Sequence, residues 1–219
     1  PELRATVKWI IISLIVFSLG MGILFQQLYS FPIWMLGVVI LGNLLGWMYS
    51  APPFRLVERG LGELCLTFVA GFLLPATGYL SLRSSPDFAG AIFLLPLLCY
   101  GMVFTLSVEI PDLEVDRLGH KRTWVVRAGR RFGFILVGLL LLVATVYFFF
   151  LPQLSTSRIA MDHRLAGLLS LIPLVPGLWG LVRQPTERPL ATQIATAVVL
   201  ALALFAILID VYLGILITR

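Results

Sequence analysis

The chain has 219 residues, 59% of them hydrophobic and only 12% charged, with a mean hydropathy of +1.00. A soluble domain of this size needs far more polar surface to cover its core, so a water-soluble globule is excluded. A net charge of +5 and a pI near 9.6 do not call for nucleic acid either, because the excess basic residues flank apolar runs instead of lining a groove.

Seven apolar runs follow one another along the chain: residues 7–29, 31–49, 61–82, 88–108, 132–151, 165–182 and 190–217. Each approaches the roughly 20 residues that a helix needs to cross a bilayer. None shows the alternation of a transmembrane barrel, so the predicted class is an all-α integral membrane protein with seven transmembrane helices. Pro75 and Pro96 fall inside runs three and four, and Pro173 and Pro176 inside run six. Neighbouring helices can cover the carbonyls that they free.

Charge divides unevenly between the two ends of these helices. With the N-terminus cytoplasmic, one side carries twelve bases: Arg4, Lys8, Arg55, Arg59, Arg117, Lys121, Arg122, Arg127, Arg130, Arg131, Arg183 and Arg188. The other carries four: Arg83, Arg158, Arg164 and Arg219. The positive-inside rule reads this as a cytoplasmic side, in the inner membrane if the cell is prokaryotic. Cys65 and Cys99 lie inside apolar runs and read as packing thiols. His120 and His163 fall on opposite sides, which excludes a metal site built on both.

Two polar islands interrupt the apolar pattern on the basic side. The first, residues 49–63, reads Y-S-A-P-P-F-R-L-V-E-R-G-L-G-E. Tyr49 sits at the membrane edge, Pro52 and Pro53 force an extended turn, and Arg55 and Arg59 face the same side as the second island. These arginines are either positive-inside anchors or charge lent to an anionic ligand. Glu63, next to Arg59, is predicted to make a local ion pair.

In the second island, from Glu109 to Arg131, four acids (Glu109, Asp112, Glu114, Asp116) precede six bases (Arg117, Lys121, Arg122, Arg127, Arg130, Arg131). Each charge costs about 2.5–3.5 kcal/mol at the bilayer centre, so ten of them belong at the interface or in a watery cavity. Pro111 suits the first turn of a helix. If run four continues as a helix, Glu109, Asp112 and Asp116, at i, i+3 and i+7, share one face. Glu114 points elsewhere and is predicted to pair with Arg117. Three carboxylates on one face call for a cation, and Mg²⁺, which takes one or two carboxylates plus phosphate oxygens, is the natural one. A turn at Gly119 would fold Lys121 and Arg122 back over the remaining charge of a diphosphate. A solvated loop with snorkelling bases is the plainer alternative.

The two islands together resemble the UbiA superfamily of intramembrane prenyltransferases. The Glu109–Arg131 island is similar to that family's second aspartate-rich motif, here Asp112-x-x-x-Asp116 with Glu109 before it. The E-I-P-D and K-R-T segments are most similar to the menaquinone-pathway branch, which prenylates 1,4-dihydroxy-2-naphthoate. Val108 and Trp124 depart from that branch, which has Asn and an aliphatic residue there. The resemblance implies Mg²⁺-dependent transfer of an isoprenyl group from its diphosphate to an aromatic acceptor within the membrane. Other acceptors within the family are 4-hydroxybenzoate, chlorophyllide or a glycerophosphate lipid. It also implies that Asp112 and Asp116 bind Mg²⁺ and diphosphate with support from Glu109, and that Lys121, Arg122, Arg55, Arg59 and Tyr49 contact the diphosphate or close the pocket.

Such enzymes have nine helices and two aspartate-rich motifs. A single domain over residues 1–219 that opens on Pro1 without a Met is therefore expected to lack the first two helices and the first motif. A transporter would place charge at mid-span on several helices, which this sequence does not. A CDP-alcohol phosphatidyltransferase would carry D-G-x-x-A-R, which is missing. A non-catalytic scaffold is the third rival. Two further expectations concern the far side: Phe148–Phe150 as a lipid-facing aromatic belt, and Asp210 making an interhelical hydrogen bond or snorkelling to the interface.

Overall fold

The computed structural model describes residues 2–83, 88–154 and 163–217. Arg158 and Arg219, and the side chains of Arg4, Arg83 and His163, lie outside the described residues. Within them the chain is helical: α1 (Glu2–Tyr29), α2 (Trp34–Ser50), α3 (Leu56–Arg59), α4 (Gly62–Phe68), a π-helical stretch (Val69–Leu73), α5 (Leu74–Arg83), α6 (Phe88–Leu118), α7 (Trp124–Leu154), α8 (His163–Leu169), α9 (Leu171–Arg183) and α10 (Arg188–Ile217). No strand occurs among the described residues.

Among the described residues six helical stretches are long and apolar enough to cross a membrane. The second predicted run is the exception, because Phe31–Ile33 form a turn and leave α2 with 17 residues. At 1.5 Å per residue that is about 26 Å, short of a hydrocarbon core of roughly 30 Å. The sixth run is two helices, broken at Ser170, where Pro173 has no N–H for the carbonyl of Leu169. Ser170 Oγ donates instead to Gly167 O at 2.6 Å.

The core belongs to α6, α7, α9 and α10. Val103, Leu106 and Ile110 of α6 pack with Phe134, Val137 and Leu141 of α7 and Ile194 and Val198 of α10, all fully buried. α1 lies outside this core and packs on α2. The aromatic belt needs correction: Phe149 and Phe150 are exposed, but Phe148 is 1% exposed. Its ring centroid lies 6.2 Å from those of Tyr100 and Phe205, which are themselves 4.9 Å apart. That cluster ties α6, α7 and α10 together on the side away from the charged islands. Asp210 is exposed on α10, so of the two expectations for it the structure favours a side chain turned outward over a buried interhelical bond.

The π-helical stretch lies just before Pro75, whose ring excludes the carbonyl of Gly71 four residues back. Here the chain crosses α6 backbone to backbone. A Cβ on Gly71 would stand 2.6 Å from Leu97 O, and one on Gly101 would stand 2.7 Å from Gly71 N. Membrane helices approach this closely only through small residues. Gly101→Ala is therefore expected to cost about 1–3 kcal/mol through overpacking, measured as a loss of thermal stability in detergent. An unchanged melting temperature would show that the crossing has slack.

Candidate active site

The acid face forms on a single helix. α6 runs unbroken to Leu118, so Pro111 sits inside a helix and not at the start of one. Glu109, Asp112 and Asp116 thus occupy neighbouring turns, with Asp116 buried, Glu109 half-buried and Asp112 exposed. α6 ends in a paired backbone closure: His120 N donates to Arg117 O at 3.2 Å, and Lys121 N donates to Asp116 O at 3.0 Å. The turn falls at Gly119 and His120, and its left-handed residue is His120, at φ 56°.

This closure turns Lys121 back onto the acid face. Its ammonium donates to Asp116 Oδ1 at 2.5 Å. The hydrogen-bonded carboxylate of Asp116 holds the Lys121 amine above its ordinary range. The predicted folding-back of bases is therefore real for Lys121. Arg122 is exposed beside it.

Glu114 does not pair with Arg117. Its two oxygens accept from both terminal nitrogens of Arg130, Nη1 at 2.7 Å and Nη2 at 2.5 Å. Arg130 Nε also donates to Ile110 O at 3.0 Å, and Nη1 to Thr186 O at 3.1 Å. Gly129, at φ 84°, kinks α7 just after its first turn and immediately before Arg130, a conformation that favours glycine. One guanidinium therefore joins the end of α6, the start of α7 and the α9–α10 connection, a distance in sequence that no local spacing rule reaches.

The first island closes against the second. Glu63 is fully buried and accepts the backbone N–H of Trp124 through Oε1. The expected Arg59–Glu63 ion pair is absent, and Arg59 Nη2 donates to Pro53 O at 2.9 Å. Trp124 Nε1 donates to Gly60 O at 3.1 Å, and Arg127 Nη2 to Arg59 O at 3.0 Å. The Tyr49 ring lies against Gly62, with Cε2 3.1 Å from where a Cβ would stand. Tyr49 and Glu109 each lie within electrostatic reach of Glu63, Asp116 and Lys121, and Asp112 acts on Lys121. Arg55 stands apart from them, exposed and paired with Glu58 at 3.3 Å.

Glu63, Trp124 and Arg127 were missed as members of the site. The G-L-G-E run held a signal for Glu63, since an acid preceded by two glycines at the mouth of an apolar run can be approached closely enough to be enclosed. A cleft of about 500 Å³ also opens between α1, α2 and α5, lined by Ser18, Gln26, Tyr29, Met35 and Thr77, and touches none of these acids.

The donors suit a hard cation. Oε2 of Glu63 and Oε2 of Glu109 are buried with no hydrogen-bond partner, and Asp112 is open to solvent. No group of three His, Cys, Asp or Glu side chains that could hold a metal occurs among the described residues. The fit is therefore to an ion that completes its shell with water or phosphate oxygens, and not to an all-protein cage.

Helices long and apolar enough to cross a membrane, with acids and bases gathered at one end, place the chain in the class of polytopic helical membrane proteins. The sequence pattern of the UbiA prenyltransferase family matches residues 4–202, and the chain belongs to that family. It is a membrane-embedded prenyltransferase, and the family implies a prenyl diphosphate donor and a lipophilic acceptor. Proteins of this family generally use a divalent metal. No curated protein and no solved structure gives a significant match.

Two measurements test this geometry. Glu114→Ala leaves a 7%-exposed guanidinium without its carboxylate and is expected to cost about 1–3 kcal/mol of stability, read by thermal denaturation in detergent. Because a raised amine pKa keeps Lys121 charged through mildly alkaline pH and is lost only as pH climbs through that raised value, amine acylation of Lys121 there should be slow. It should accelerate in Asp116→Asn, and equal rates would contradict the pairing.

Proposed function

We propose that the face bearing Asp112 and Asp116 binds Mg²⁺ and the diphosphate of an isoprenyl donor, with Glu109 supporting it. The single observation that carries this reading is the Asp116–Lys121 pair beside the unpartnered Glu109 oxygen, all on or next to the last turns of one long helix. Lys121 and Arg122 supply positive charge to the outer diphosphate oxygens, Lys121 exchanging part of its bond with Asp116 for the ligand. Tyr49, Arg55 and Arg59 border the entrance. Orientation with this end cytoplasmic is supported by the twelve-to-four distribution of bases.

The donor's tail gains about 0.8 kcal/mol per buried CH₂, so it lies in the membrane with its head at this surface. Bound Mg²⁺ would stabilise the charge that develops on the leaving diphosphate. The chain's own groups then have three tasks. Lys121 and Arg122 hold the diphosphate oxygens, the Glu63–Trp124 clasp keeps the turn that bears them over α6, and the apolar helix walls exclude water from the allylic cation. The C–O bond to diphosphate breaks first, its electron pair leaving with the diphosphate, and the acceptor carbon then attacks C1 of the allylic cation. Loss of a proton or CO₂ from the ring restores aromaticity. The E-I-P-D and K-R-T segments favour a dihydroxynaphthoate-like acceptor and a place in quinone biosynthesis.

Membranes containing the protein should transfer label from radiolabelled isoprenyl diphosphate to such an acceptor only with Mg²⁺ present. A panel of 4-hydroxybenzoate, chlorophyllide and glycerophosphate acceptors fixes the acceptor class. Asp112→Ala and Asp116→Ala are each expected to lower the rate at least about 100-fold while the protein still accumulates in the membrane. Full activity in either variant would remove the diphosphate assignment.

A further inference from the structure

The two polar islands come closest at Gly60. A Cβ there would stand 2.5 Å from Arg127 Nη2, 2.7 Å from Arg127 Cζ and 2.8 Å from the carbonyl oxygen of Arg122. Gly60 closes α3 at φ 76°, with its N–H on Leu56 O, a conformation that side chains resist. The two carbonyls of this corner are used as well. Arg59 O accepts from Arg127 Nη2 at 3.0 Å, and Gly60 O from the Trp124 indole at 3.1 Å.

Arg122 and Arg127 stand on either side of the residue that opens α7, Thr123, whose Oγ1 accepts the N–H of Val126 at 3.2 Å. The basic turn therefore hangs between two anchors. One is Asp116, which takes Lys121 by its amide and by its ammonium. The other is the Gly60 corner, which touches the Arg122 carbonyl directly and holds the following helix through Arg127. Arg59, whose charge could have been lent to a ligand, has Nη2 on Pro53 O. What it gives to the second island is its carbonyl.

We propose that Arg127 is a positioning residue for the prenyl donor: docked on the main chain of Arg59 and Gly60, it sets the place of the Lys121–Arg122 turn. The first island then serves the diphosphate through its backbone path, by way of a side chain that does not itself touch the ligand. This assignment rests on the diphosphate reading above. Gly60 is the complementary half. A side chain there would displace the guanidinium, which can swing aside, and the Arg122 carbonyl, which can yield only if the turn moves.

The test uses membranes containing the protein, with transfer of isoprenyl label followed at varied donor concentration. Thermal denaturation in detergent checks folding. Arg127→Met keeps an apolar stem and removes the donor. It is expected to raise the donor KM about tenfold, with kcat within about twofold and the melting temperature unchanged. Arg127→Lys should recover part of that loss, since an ammonium still donates to a carbonyl. A native KM in Arg127→Met, or a fall in kcat alone, would overturn the proposal. Trypsin cleavage after Lys121 and Arg122 reads the turn without any donor, and should be faster in both Arg127→Met and Gly60→Ala. Unchanged cleavage in both variants would show that the turn is not seated on Gly60. Faster cleavage in Arg127→Met, with a native protein that transfers no prenyl group, would leave the seat standing and remove the diphosphate reading alone.

Discussion

Ten charges between Glu109 and Arg131 cannot enter hydrocarbon, yet they are carried by two helices, and the turn between them, whose other ends are buried in the core. That conflict governs the architecture. α6 and α7 must emerge from the bilayer together, at a fixed height, with their charges satisfied by each other or by the first island. Arg130 meets this demand by binding Glu114, Ile110 O and Thr186 O at once. Glu63 meets it from the other flank by accepting the Trp124 amide. Between those two fastenings lies the short turn that carries Lys121.

The features legible in the sequence were those that depend on residues close in the chain. Apolar runs disclosed the helices, and the i, i+3, i+7 spacing disclosed the acid face because a helix converts spacing directly into direction. The return of Lys121 onto Asp116 was also local, five residues apart. The predictions that failed share a different cause. Glu114 reaches Arg130 sixteen residues on, and Glu63 reaches Trp124 sixty-one residues on. In both cases the nearest opposite charge was the wrong partner, since burial of a tertiary partner outweighs an exposed ion pair worth about 1 kcal/mol or less. Phe148 misled for a similar reason. A run of three aromatics near a helix end has one composition, but helical rotation sends its members in different directions, and only Phe149 and Phe150 point outward.

Trp124 shows how a departure from a family pattern can carry structural content. An aliphatic side chain at that position would still offer its amide to Glu63, but only the indole N–H also reaches Gly60 O. With Arg127 on Arg59 O, three donors from the first turn of α7 land on the end of α3, the connection after it and the start of α4. Two of them engage backbone carbonyls, so the residue identities of the first island matter less to this closure than its path. The exposed arginines of that island remain available for a ligand because the closure does not consume them all: Arg55 is held only by an exposed pair with Glu58.

The contact between Gly71 and Gly101 has a mechanical consequence. It joins two helices by main chain alone, and main chain has no rotamers with which to absorb a displacement. A shift of one helix at this joint must therefore carry the other with it. The acid face begins at Glu109, eight residues beyond Gly101 on the same unbroken helix, so its place follows from where the glycine joint sets α6.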